Sequence, residues 1–454
     1  SGIWFEESYQ RIYPFSTLAC DLIGFTASDN SGLWGIESYY NDTLSGTNGR
    51  KYGYLTDNVD LQTVTEEPHN GKTVVSTIDI NIQRIAEKYI SQFMTETGAK
   101  NVAAIVMNPN TGEIYGMGSR PDYDPNNYQN YNQQVLSRNL PIWATYEPGS
   151  TQKIITTSAA VEEKVVDLDN DLFYDSGSVK VDTAKIKCWK AGGHGQQTFM
   201  EVLQNSCNPG FVKMGQLLGK DRLFSYLDKF GFGAKTGVDL SGEGKGIIFP
   251  LSKVGNVELA TTAFGQGISV TPIQQVTAVS AVVNGGKLYQ PYILKSISEK
   301  ETGNIIKKNS KKFIRQTISK ETSNTMRRAL ENVVAKGGGK AAYIDGYRIG
   351  GKTGTAQKVE NGVYLVNNYI MSFMAVVPSN NPEAVLYLAI DNPKHTAMLS
   401  SYTTTPIARR ILLDIIEALD IKKQDSQIEK EKEWSDKTIY EVPNVVGMTK
   451  KEAK

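Results

Sequence analysis

Three short segments hold the residues most able to do chemistry: Ser150-Thr151-Gln152-Lys153, Ser206-Cys207-Asn208 and Lys352-Thr353-Gly354-Thr355. They follow one another 56 and then 146 residues apart. A Ser-x-x-Lys tetrapeptide alone is more often a helix start with a solvated lysine. All three in this order describe an activated serine that cleaves an amide and holds the acyl group. A serine alcohol is a poor nucleophile until a neighbour takes its proton. Residues three apart share a helix face, which sets Lys153 beside the Ser150 hydroxyl. A lysine can accept that proton when burial and a second cation lower its pKa, and Lys352 supplies the cation.

The surrounding elements must bring these segments together. Tyr146-Glu147-Pro148-Gly149 interrupts regular structure, and a helical pattern runs on from Ser150 through Ile154, Ile155 and Ala159. The third segment reads as a strand, Tyr347 to Gln357, followed by apolar runs at 369–377 and 384–390 that complete three antiparallel strands. Its glycines let a ligand backbone come close, so a peptide can pair with that edge as an added strand. A helix is predicted after Asp79, with Ile82, Ile85, Ala86, Tyr89, Ile90 and Phe93 at helical spacing. A hairpin follows at 102–107 and 113–117. Residues 1–70 read as polar and irregular, and the region from the serine helix to about 340 as mixed and mostly polar. The final helix opens at Thr405-Pro406 and runs to about Ile421, before a charged linker at 422–437. Together these give an α+β sandwich, a sheet covered by helices.

The cysteines carry a second kind of chemistry. There are three, Cys20, Cys188 and Cys207, an odd number that argues against a complete disulfide framework. Cys188, His194 and Cys207 form C-x5-H-x12-C around a glycine-containing loop. If Ser206 and Asn208 face a cleft, Cys207 between them points away from it and can meet Cys188 and His194 behind. Two thiolates and an imidazole need one more ligand for a tetrahedral, structural zinc site. Asp175 is the first choice and Asp182 the second. Inert packing of free cysteines and a Cys188–Cys207 disulfide are the competing readings. His69 and His395 read as loop residues, and Cys20 as a buried one.

The motifs as a set resemble those of class B penicillin-binding proteins, monofunctional D,D-transpeptidases of bacterial cell-wall synthesis. The resemblance extends along nearly the whole chain. Arg11-Ile12-Tyr13-Pro14 and Gly35-Ile36-Glu37-x-x-Tyr40 are similar to that family's non-catalytic pedestal. Thr77-Ile78-Asp79, Phe264-Gly265-Gln266-Gly267, Thr271-Pro272 and Asn284-Gly285-Gly286 match further segments. Val442-Pro443-Asn444-Val445-Val446-Gly447-Met448 is similar to the opening of a PASTA module. The resemblance implies a partial pedestal at 1–70, a transpeptidase domain at 71–421, a linker at 422–438 and a cut-off PASTA start at 439–454.

It also implies roles. Ser150 attacks the penultimate D-Ala carbonyl of a stem peptide, with Lys153 as general base. Ser206 and Lys352 relay a proton to the leaving amine, and Asn208 holds the donor amide. Thr353 and Thr355, flanking Gly354, bind the terminal carboxylate. The N–H groups of Ser150 and Thr355 form the oxyanion hole. No cofactor is needed for catalysis, and β-lactams acylate the same serine. Some relatives carry zinc at the position of the cysteine cluster. The family is membrane-anchored by one N-terminal helix with its catalytic domain outside the cytoplasm, and it works beside a SEDS-type glycosyltransferase. The PASTA start and the segment Cys188-Trp189-Lys190-Ala191-Gly192-Gly193-His194-Gly195 lean toward the sporulation-specific member and spore-cortex synthesis.

Other classes fit less well. Net charge is +1, which suggests no nucleic-acid partner. No apolar stretch approaches twenty residues. A class A β-lactamase needs a Glu positioned downstream of the second motif for deacylation, and no Glu-x-x-x-Asn stretch stands at a suitable distance. A D,D-carboxypeptidase and a β-lactam sensor or scaffold without turnover share the serine motifs but not the flanking modules.

Overall fold

The computed structural model describes residues 9–55, 61–360, 363–394 and 399–431. A five-stranded sheet lies at the centre, in the order β3-β4-β5-β1-β2 and antiparallel throughout. The strands are β1 (Asn101–Met107), β2 (Ile114–Arg120), β3 (Gly350–Glu360), β4 (Val363–Val377) and β5 (Ala384–Asp391). The strand bearing Lys352 is thus an edge strand, paired on one side only, with Thr355 opposite Met371.

Side chains alternate across the sheet. Phe373, Ala375 and Val377 of β4 join the core under α1 (Ile80–Thr97) and the C-terminal helix, whereas Met374 and Val376 join the core on the opposite face. Helix α1 starts where the Asp79 carboxylate accepts from the N–H groups of Asn81 and Ile82. Such a cap is worth about 1 kcal/mol.

The opposite face carries α2 (Lys153–Glu162), α3 (Asn208–Leu218), α4 (Asn256–Phe264), α5 (Pro272–Val283) and α6 (Lys320–Lys336). Here the expectation of a mostly polar middle region is corrected. Every residue of α5 is buried, so it is a central helix enclosed on all sides and has no polar stripe to mark it in sequence. The Thr271 side chain and Gln274 cap it reciprocally.

The last helix, α7 (Ser400–Ala418), begins five residues before the expected Thr405 and takes Pro406 into its interior. A proline there leaves the carbonyl four residues back without its donor. That carbonyl belongs to Tyr402, an exposed residue.

The irregular reading of the first seventy residues is also corrected. They hold short helical turns and an antiparallel hairpin, Arg50–Leu55 with Leu61–Glu66. The two segments singled out near the start meet, with Arg11 Nε donating to Glu37 Oε1 at 2.7 Å. This part is tied to the sheet where Asp21 accepts from both the N–H and the hydroxyl of Ser119.

Residues 422–431 lie against the body. The N–H of Ile428 donates to Glu331 Oε1 (3.0 Å) and that of Glu431 to the Ala335 carbonyl (2.8 Å), both on α6. Glu331 is buried and also receives Arg348 (2.7 Å) and the Ser379 hydroxyl (2.7 Å). The PASTA-like stretch and His395 fall outside the described residues.

Candidate active site and metal cluster

Ser150 sits in a short 3-10 turn, Gly149–Thr151, that leads into α2. It is half-buried, and its hydroxyl makes no hydrogen bond among the described residues. Gly149 has φ of +54°, and a Cβ there would come within 3.0 Å of the Thr355 carbonyl oxygen. Only glycine lets the serine turn approach β3 so closely.

Lys153, the first residue of α2, is completely buried. The sequence sets it beside the Ser150 hydroxyl, but here its ammonium points to the second motif. Nζ donates to the Asn208 Oδ1 (2.7 Å), the Ser206 carbonyl (2.8 Å) and the Ser206 hydroxyl (3.0 Å). All three of its donors are used. Lys352 Nζ reaches the same Ser206 hydroxyl at 3.0 Å and the Thr353 carbonyl at 3.2 Å. Burial first, and the charge of Lys352 second, hold Lys153 well below the ordinary lysine range. Burial brings Lys352 down to about 7. A lysine so depressed is partly neutral near neutral pH and can take a proton from an alcohol.

Ser206 adopts φ of +53°, a left-handed conformation that costs a non-glycine residue about 1–2 kcal/mol. The turn aims its hydroxyl between the two lysines. Cys207 then caps α3, and Asn208 opens that helix.

On β3, the Thr355 hydroxyl lies 2.8 Å from the Ser400 hydroxyl, and Ser400 also donates to the Gly354 carbonyl. Gly354 is buried, and a Cβ there would meet the Ser372 hydroxyl at 2.4 Å. It therefore shapes the strand rather than offering a side chain. Ser400 was missed in sequence: it stands 45 residues beyond Thr355, in no recognisable motif. Glu147 was missed too. Its carboxylate accepts from the Gly267 N–H (2.7 Å) and the Tyr364 hydroxyl (3.1 Å), linking the serine turn to the hairpin of β3 and β4.

Behind the second motif, Asp175, Cys188, His194 and Cys207 converge, with one ligand atom from each lying within 4.8 Å of the others. Asp175 Oδ2 is 3.0 Å from His194 Nδ1 and 3.3 Å from Cys207 Sγ, and Cys188 Sγ is 3.3 Å from His194 Nδ1. Asp175 ends a strand (Leu172–Asp175) paired with Gly195–Thr198, which brings it next to His194. The N–H groups of Gly177 and His194 orient its carboxylate. Asp182 lies elsewhere, accepting from Asn256. Both cysteines are free thiols. His194 Nε2 is buried without a partner among the described residues, so the imidazole bonds on its Nδ1 side alone. Trp189 lies edge-on to that ring and donates to the Asn205 carbonyl, closing the cluster from outside.

This donor set suits a d¹⁰ divalent ion such as zinc. Bonds of about 2.3 Å to sulfur and 2.0–2.1 Å to nitrogen or oxygen place tetrahedral ligands roughly 3.3–3.8 Å apart. The three shortest separations, 3.0, 3.3 and 3.3 Å, are at or just below that range, and every pair lies within 4.8 Å.

Comparison with known proteins gives one consistent result. The family model "Penicillin binding protein transpeptidase domain" matches residues 102–413. Stage V sporulation protein D of Bacillus subtilis is 50% identical over 99% of this chain and 70% of its own length. The peptidoglycan D,D-transpeptidase FtsI of Escherichia coli is 28% identical over 93% of this chain and 69% of its own. Among solved structures, penicillin-binding protein 3 of Mycobacterium tuberculosis in complex with aztreonam superposes with a TM-score of 0.83. It is 27% identical and 93% of each chain is covered.

Proposed function

The chain belongs to the penicillin-binding transpeptidases, and from that premise we propose that it cross-links peptidoglycan stem peptides through an acyl-enzyme on Ser150. It is a serine D,D-transpeptidase, and β-lactams acylate it in place of the D-Ala-D-Ala donor. The observation that carries the assignment of roles is the single Ser206 hydroxyl held by two buried lysines, Lys153 and Lys352.

Ser150 Oγ attacks the carbonyl of the penultimate D-Ala, and its proton passes to the neutral Lys153. For this step Lys153 leaves its hydrogen bonds to the second motif and turns to Ser150. The N–H groups of Ser150 and Thr355 hold the developing oxyanion, a device worth roughly 3–4 kcal/mol per donor. The C–N bond breaks, and the leaving D-Ala amine takes a proton through Ser206 from the lysine pair. An amine of a second stem peptide then attacks the ester carbonyl and loses its proton to the same relay, which returns it to the Ser150 oxygen as the acyl C–O bond breaks. Asn208 holds the donor amide, and Thr353 and Thr355 the terminal carboxylate. Side chains and peptide N–H groups suffice, so catalysis needs no cofactor.

Zinc is proposed as a structural ion held by Asp175, Cys188, His194 and Cys207. Their burial and mutual approach support this, and four protein ligands leave no open position for chemistry. When bound, the ion cross-braces the loop that carries Ser206 and Asn208. The relative in Bacillus subtilis supports a role in sporulation. An N-terminal membrane anchor, an extracytoplasmic catalytic domain and a SEDS-type glycosyltransferase partner are supported by family resemblance. Among the described residues no helix is long and apolar enough to cross a membrane.

Intact-mass spectrometry after incubation with a penicillin tests the chemistry. A penicilloyl adduct absent from Ser150→Ala is expected. No adduct on folded protein would move a scaffold role to the front. Turnover of a stem-peptide thioester with an acceptor amine separates the transpeptidase from a sensor, and hydrolysis without transfer would mark a carboxypeptidase.

A further inference from the structure

A cavity of about 460 Å³ opens on the α2-side face of the sheet, beside the serine turn but lined by none of the catalytic side chains. Its floor is made by Ala103 of β1, Ala389 of β5 and Ile370 of β4. Ala103 and Ala389 pair with each other, with Ser119 and Ser372 on their other sides, and this row of small residues leaves the space. Its far wall is the segment before the serine turn, where Leu140 and Trp143 contribute apolar surface and Trp143 is 44% exposed.

The charges around it are unbalanced. Asp391 is already satisfied by Lys358 Nζ (2.7 Å) and Asn101 Nδ2 (2.9 Å). Arg138 stacks over the Trp143 ring, 4.9 Å from its centroid, and makes no ion pair among the described residues. Lys100, also at the rim, has none either. Two free cations therefore face a cavity with a small-residue apolar floor. A guanidinium held over an indole keeps its N–H groups available to a carboxylate.

We propose that this cavity binds a second peptidoglycan stem peptide, outside the catalytic cleft, through Arg138 and Lys100. A stem peptide bears several carboxylates on a backbone with methyl side chains, the chemistry that an apolar floor of this size and two unpaired cations complement. The choice of occupant rests on the transpeptidase reading. The site adjoins the catalytic one through two segments. Ile370 pairs with Ala356, next to Thr355, and Tyr146 lines the cavity four residues before Ser150.

The test uses the whole protein after penicillin has blocked Ser150. The tripeptide L-alanyl-γ-D-glutamyl-meso-diaminopimelate, which lacks the D-Ala-D-Ala terminus, is titrated into it calorimetrically. Saturable one-to-one binding is expected, weakened about tenfold in Arg138→Gln and lost in Ala389→Leu, which fills the floor. Both variants should acylate at the parent rate, which shows that they fold. No binding to the blocked protein overturns the proposal, as does equal affinity in the parent and both variants. Equal binding of the all-L peptide Ala-Glu-Ala would overturn the stem-peptide assignment. If penicillin forms no adduct, the transpeptidase reading fails separately, and the same titration on Ser150→Ala still decides the cavity.

Discussion

Lys153 and Lys352 donate to one and the same oxygen, the Ser206 hydroxyl, each at 3.0 Å. Two buried ammonium groups around one neutral acceptor cannot both stay charged cheaply. The one that gives up its proton becomes a neutral amine, the form that can accept a proton from an alcohol.

Stability should therefore improve when one lysine is removed. Lys352 has a folded value of about 7 against an ordinary 10.5. Between those values the unfolded chain binds more protons, so stability rises with pH across the window. Lys352→Met removes the penalty. We expect a Tm at pH 7 raised by about 2 °C or more, a gain that shrinks toward pH 10.5, and acylation reduced by orders of magnitude. Scanning calorimetry at several pH values reads this, and a lower Tm at pH 7 would contradict it.

The pH profile of acylation should move as well. Lys153 must be neutral to act, so the rate falls on the acid side as it gains a proton. Because Lys352 helps hold Lys153 down, residual acylation in Lys352→Met should show its acid limb at higher pH. Penicillin acylation rates from pH 5 to 9 would show an unmoved limb if the two lysines are not coupled.

Asn208 accepts from Lys153 at 2.7 Å. Asn208→Ala removes a charge-assisted hydrogen bond, typically about 1.5–3 kcal/mol. The penicillin acylation rate should fall roughly ten- to a hundredfold. A change of less than threefold would mean that Asn208 does not fix the base.

Ser400→Ala removes the contact that holds the Thr355 hydroxyl. Acylation should drop about tenfold, with the shape of the pH profile preserved because no lysine partner is lost. A change in the profile would assign Ser400 to the proton relay instead.

For the metal cluster, Cys207→Ser or strong chelation should release about one zinc per chain and lower both Tm and acylation. Asp175→Ala should do the same, and Asp182→Asn should leave metal content unchanged. Elemental analysis paired with calorimetry distinguishes these. Full acylation by demonstrably metal-free protein would remove the bracing role.

Much of the frame was legible because its signals are local. The runs at 369–377 and 384–390 are apolar and bounded by turn residues, and they appear in β4 and β5. The helix after Asp79 has both a cap and a periodic face. α5 was illegible because a helix buried on every side has no amphipathic pattern. The start of α7 was misplaced because Pro406 imitates an entry signal. At the site, residue types could be read but directions could not. Spacing puts Lys153 near Ser150, and only the folded loop at Ser206 shows where its ammonium points. Asp175 and Asp182, seven residues apart, look equivalent until one is paired beside His194. The cavity rests on two alanines in different strands, which no linear pattern connects.

The chain beyond α7 is moored on α6, through Ile428 at Glu331 and Glu431 at Ala335. Arg348, at the approach to β3, is gripped by the same Glu331. The tail and the approach to the Lys352 strand therefore share one buried carboxylate, so a displacement of either is felt by the other through Glu331.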